Sequence, residues 1–162
     1  MSVLRAYLEG QAQAAPMQSP QNNPMAEYMS GNEAMSAIQD AFAAVESDGS
    51  GGYAAVGPET GKGRAYGRYQ VMDFNIGPWT REVLGQELTP EQFLTNPQAQ
   101  DAVFSAKIGG YMDEYGSLED AASMWFSGRP YAGNTRSDGY LSVPQYVSKV
   151  RANYNPMERA VR

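Results

Sequence analysis

The chain is punctuated by helix signals, a capping side chain before an apolar run and a glycine after it, and this punctuation restricts the fold more than any other property. Thr89-Pro90-Glu91-Gln92 has the form of a capping box with proline at the first helical position. Asn96-Pro97 repeats the pattern and opens the longest predicted helix, to about Tyr115, with Phe104, Ile108, Tyr111 and Tyr115 on one stripe and Gly116 past its end. Ser117 caps a helix through Leu118, Ala121, Ala122 and Trp125, and Ser142 starts a last one whose buried side is Val143, Tyr146, Val147, Val150 and Tyr154. Upstream, Met35, Ile38, Phe42 and Val45 recur at helical spacing behind Asn32 as the predicted N-cap, and the DGSGG run after Ser47 stops that helix. Pro78 in a first turn, with Gly85 as a stop, frames a shorter helix holding Trp79, Val83 and Leu84. The expected fold is mainly α, a single domain with one Gly-rich loop or small hairpin.

With 162 residues, 42% of them hydrophobic, the chain can build one core of ordinary size. It has no His and no Cys, which excludes Ser-His-Asp and Cys-His catalysis and the conventional zinc sites. Catalysis here must use carboxylates, hydroxyls, amides or cations, and no metal site is expected. A net charge of −6 with scattered cations argues against nucleic-acid binding. No stretch reaches the ~18 consecutive apolar residues of a membrane span, and we read no signal peptide in the polar N-terminal region. Residues 10 to 26 carry no charge and no apolar period, so residues 1–31 read as a flexible leader or a docking arm. The domain is expected over 32–155, followed by a basic tail at 156–162.

Residues 48 to 66 are rich in Gly and match neither the P-loop nor the dinucleotide spacing. They read as a loop, with a short hairpin expected around Tyr53 to Val56. Just before it, Glu46 occupies the last turn of an apolar helix. There the helix dipole disfavours a negative charge by about 0.3 to 1 kcal/mol. Partial burial acts in the same direction, so the pKa is expected to rise toward the range useful to a general acid. Asp48 reads as a turn residue and Asp73 as a helix cap.

The order of these features carries a resemblance. Glu46-Ser47 closes an apolar helix; GRYQVM follows at Gly67 to Met72, then WFSGR at Trp125 to Arg129 and YVSKV at Tyr146 to Val150. Over about residues 33 to 152 this resembles the lysozyme-like lytic transglycosylases, and the run GRYQVMDFNIGPW is similar to the form carried by tailed phages and prophages. The resemblance implies a lysozyme-like α(+β) domain with Glu46 as catalytic acid and base and Ser47 as its supporting hydroxyl. It implies Gly67 as a site of close backbone approach, Gln70 as a wall of the glycan cleft, Met72 as the apolar residue beneath it, and Tyr146 as a hydroxyl near the acid. Tyr53, Tyr69, Trp125 and Tyr131 are candidates for stacking on sugars. Two departures stand out: Arg68 and Tyr69 replace apolar residues, and the common A-Y-N-A-G turn appears as Met124-Trp125-Phe126-Ser127-Gly128.

The implied reaction cleaves the β-1,4 bond between N-acetylmuramic acid and N-acetylglucosamine in peptidoglycan, leaving a 1,6-anhydro product and needing no cofactor. The alternatives are a hydrolytic muramidase or endolysin, with Asp48 or Asp73 positioning water, and a structural virion or channel protein with a degenerate fold. The resemblance further implies a virion component, docked through residues 1–31 to tail or ejection proteins and acting on the host wall.

Overall fold

The computed structural model describes residues 31–156. These residues form six α-helices and one short hairpin, which packs against the two helices that follow it. Helix α1 spans Gly31–Glu46, and a single 3-10 turn occupies Gly52–Ala54. Strands β1 (Ala65–Tyr66) and β2 (Val71–Met72) pair antiparallel, with Ala65 opposite Met72 and Tyr66 opposite Val71. Then follow α2 (Asp73–Leu84), α3 (Pro90–Leu94), α4 (Pro97–Tyr115), α5 (Leu118–Ser127) and α6 (Val143–Asn153). The protein is mainly helical. No helix among the described residues is long and apolar enough to cross a membrane.

The caps form as the local chemistry requires. Thr89 and Ser142 each make a complete capping box, with Gln92 and Gln145 respectively, and Asn96 and Ser117 each accept a backbone N–H of the first turn. Each such cap contributes about 1 kcal/mol. Gly85, Gly116 and Gly128 end their helices in the left-handed region.

Three local expectations need correction. Asn32 lies inside α1, which begins at Gly31. Pro78 is internal to α2, because that helix already starts at Asp73, directly out of β2. The hairpin is not around Tyr53 to Val56: Gly67-Arg68-Tyr69-Gln70 forms its turn, and Val56 makes only an isolated antiparallel bridge to Tyr66. A Cβ at Gly67, where φ is 81°, would collide with the Gln100 carboxamide of α4. The turn is therefore located by packing against α4, which a short apolar run at 53–56 cannot reveal.

The apolar faces close into two clusters. One packs Phe42 of α1, Phe104 and Ile108 of α4, Ala121 and Ala122 of α5, and Tyr146, Val147 and Val150 of α6. The other joins Val71, Ile76, Phe93, Ala99 and Val103. Trp125 touches both. Its ring lies 5.1 Å from Phe104 and 5.7 Å from Trp79, so it links the two halves of the core.

Candidate active site

Along α1 the buried positions Met35, Ile38 and Phe42 make one stripe, and the next position on it, four residues beyond Phe42, is Glu46. The carboxyl group therefore turns inward along the stripe, and the residue as a whole is half-buried. It meets α6, where the Tyr146 hydroxyl donates a hydrogen bond to Glu46 Oε1. Tyr146 is 1% exposed; its ring stacks on Phe126 at 4.6 Å and meets Phe42 edge-on at 6.3 Å.

These surroundings set the acidity. Burial pushes the Glu46 pKa up from 4.5 to about 7, opposed by the Tyr146 hydrogen bond, reinforced by the charge of Asp138 and opposed again by a hydrogen bond from Trp125. Desolvation wins because it acts on the whole ionised group, whereas each donor compensates only one lone pair. Tyr146 is itself raised well above its ordinary value by burial, by the Glu46 charge and by the bond it donates. It stays protonated and acts only as a donor. A carboxyl group half protonated near neutrality, with one oxygen fixed by a phenol, can give and take a proton through its other oxygen.

A cavity of about 500 Å³ lies along another face of the α1 terminus, lined by Ala43, Ala44, Ser47, Asp48, Tyr53 and Arg68 among others. Ser47 is 4% exposed, and its hydroxyl donates to the Ala43 carbonyl at 3.4 Å, not to Glu46. The carboxyl group is held not by Ser47, as expected, but by the Tyr146 hydroxyl. Tyr53 also lines this cavity, with its hydroxyl donating to Asp101 at 2.8 Å.

The hairpin turn supplies a charged cluster. Arg68 donates to Asp40 at 2.5 Å, to the Tyr69 hydroxyl at 3.0 Å and to the Tyr53 hydroxyl at 3.1 Å, and its guanidinium lies 3.7 Å from Asp101. Tyr69 is 1% exposed, stacked at 4.0 Å on Phe104, and bonded to Asp101 at 2.6 Å. Its ring has no free face, which removes it from the sugar-stacking candidates. Trp125 and Tyr131 are half-buried against the core, Trp125 as the link described above. Gln70 takes a left-handed φ of 52° and donates back to the Gly67 carbonyl at 2.9 Å, closing the turn. Met72 is half-buried in β2.

Several residues of the site escaped the sequence. Gln100 is fully buried; its Oε1 accepts from Arg68 N at 2.8 Å, and its Nε2 donates to the carbonyls of Tyr53 and Phe93, each at 3.0 Å. It ties turn, Gly-rich loop and α3 to α4. The available signal was a glutamine four residues before Phe104 on the same stripe. Asp40, Asp101, Phe126 and Asp138 had none. Asp73, the expected cap, is the first residue of α2 and accepts the N–H groups of Phe74 and Arg64. Asp48 is exposed in the turn after α1. Among the described residues no grouping of three acidic side chains is placed to hold a metal ion.

Neither protein-family models, nor curated proteins, nor solved structures give a match to this chain.

Proposed function

We propose that the chain is a lysozyme-like lytic transglycosylase that cleaves the bond between N-acetylmuramic acid and N-acetylglucosamine in peptidoglycan. The observation that carries this reading is the Glu46 carboxyl group, poised near pH 7 by burial at a helix end and held by the Tyr146 hydroxyl. The helix that ends in this acid, the small hairpin after it and the helices packed behind support the lysozyme-like form.

In the first step Glu46 Oε2 gives its proton to the glycosidic oxygen, and the bond to the muramyl anomeric carbon breaks. The acetamido oxygen of the same sugar shares the resulting positive charge. Glu46, now a carboxylate stabilised by the Tyr146 hydroxyl, takes the proton of the muramyl 6-hydroxyl, whose oxygen closes on the anomeric carbon. Acid and base are one group, so the pair of flanking carboxylates used by most glycosidases is not required.

Asp138 favours a second reading, a hydrolytic muramidase, because its charge reaches Glu46. Against this, Asp138 Oδ1 already accepts the N–H groups of Tyr140 and Leu141, both at 2.8 Å, which holds it as a turn brace. Digestion of purified peptidoglycan followed by mass spectrometry separates the two. The expected products end in 1,6-anhydro-muramic acid and disappear with Glu46→Gln; reducing muramic acid ends would overturn the transglycosylase reading in favour of hydrolysis.

The resemblance of GRYQVMDFNIGPW to phage forms supports delivery in a virion. Of the expected leader or docking arm, residues 1–31, all but Gly31 lie outside the described residues.

A further inference from the structure

Four of the six arginines among the described residues are paired with carboxylates: Arg64 with Glu59, Arg68 with Asp40, Arg81 with Glu87 and Arg151 with Glu119. The two exceptions, Arg129 and Arg136, line the same cavity, of about 380 Å³, together with Pro130, Asn134 and Thr135. In a chain of net charge −6, two unpaired guanidinium groups at one concavity mark a place that favours an anion.

The cavity is built on a braced loop. The Asn134 side-chain amide donates to Ser127 Oγ at 2.8 Å, Ser123 Oγ at 3.1 Å and the Pro130 carbonyl at 3.3 Å, and its oxygen accepts from Arg136 N at 3.3 Å. The far end is tied down by Val143 N donating to the Arg136 carbonyl at 2.7 Å. The loop is also next to the acid. Arg129 comes three residues after Phe126, whose ring stacks on the Tyr146 that holds Glu46, and Arg136 two residues before Asp138, whose charge reaches Glu46. Tyr140, 93% exposed, stands on the same loop.

We propose that Arg129 and Arg136 form a carboxylate-binding site for the peptide stem of peptidoglycan. This rests on the transglycosylase reading: the stem hangs from the lactyl group of the muramyl sugar whose bond Glu46 breaks, so its free carboxylates are tethered within reach of a site beside the acid. Planar guanidinium groups match carboxylates in a two-pronged geometry. The pair favours strands that still carry peptides over denuded glycan, and it offers no such advantage to a stem whose carboxylates are amidated.

The test compares cleavage of peptide-bearing peptidoglycan with cleavage of amidase-stripped glycan strands, for the wild type and for Arg129→Gln/Arg136→Gln in the full chain. The expected ratio of kcat/KM between the two substrates falls about five- to tenfold in the variant, in keeping with partly exposed charge-assisted contacts. An unchanged ratio overturns the stem site while leaving the transglycosylase reading intact. Cleavage of neither substrate by the wild type overturns that reading instead. Binding is measured separately on Glu46→Gln protein with a stem tetrapeptide, its fully amidated form and inorganic phosphate as probes. Tighter binding of the free tetrapeptide, lost on replacing both arginines, supports the site. Equal binding of the amidated peptide, or preference for phosphate, refutes it.

Discussion

Replacing Glu46 by Gln tests the central physical claim without reference to any substrate. The carboxyl pKa is raised from 4.5 to about 7 on folding, so ionisation is about 3 kcal/mol less favourable in the folded chain than in the unfolded one. The sign follows directly. Below the unfolded value both states are protonated and Glu46 contributes fully. As pH rises through 4.5 the unfolded state releases its proton first, and the contribution is lost progressively until the folded group also ionises near 7. A glutamine cannot ionise, yet its amide oxygen can still accept the Tyr146 hydrogen bond, so the variant escapes this loss. Relative to wild type, Glu46→Gln should gain up to about 3 kcal/mol between pH 5 and pH 8, or roughly 6 to 12 °C in melting temperature for a chain of this size. Differential scanning calorimetry across that range reads the difference curve, in which the other carboxylates cancel. A flat difference would mean that Glu46 titrates as an ordinary surface acid, and the general-acid argument would fall with it.

Three further outcomes follow from the structure. The kcat/KM profile of the wild type should decline above about pH 7 as Glu46 loses its proton. Because the Tyr146 hydrogen bond lowers the Glu46 pKa, Tyr146→Phe should move that alkaline limb upward while reducing kcat; a limb that stays in place would show that the phenol does not tune the acid. Arg68→Met removes the cation that Asp40 and Asp101 share beside Tyr53 and Tyr69 and should cost about 1 to 3 kcal/mol in urea denaturation, limited by the partial exposure of both carboxylates and by the hydroxyl donors that Asp101 keeps. A midpoint within error of wild type would reduce the cluster to a solvated surface pair.

The helices were legible because their signals are local. Thr89, Asn96, Ser117 and Ser142 cap the helices they were expected to cap, and each bond involved spans only a few residues. Glu46 was legible for a related reason: its position on the α1 stripe and at the negative end of a helix both follow from helical periodicity. Where Pro78 marks the interior of α2, and where a hairpin turns at 67–70 instead of near 53–56, the local signal competed with packing and lost.

What surrounds the acid belongs to a different scale. Tyr146 lies a hundred residues from Glu46 along the chain, Asp101 meets Arg68 across thirty-three, and Gln100 sets the hairpin turn from the first turn of α4. The chain alone specifies a carboxylate at the end of an apolar helix. The sequence also gives the direction in which its pKa moves, upward, but how far it moves, to about 7, depends on how much water the packing of α1 against α4 and α6 removes. The extent of desolvation is a property of the surrounding volume, and no pattern along the chain encodes its size.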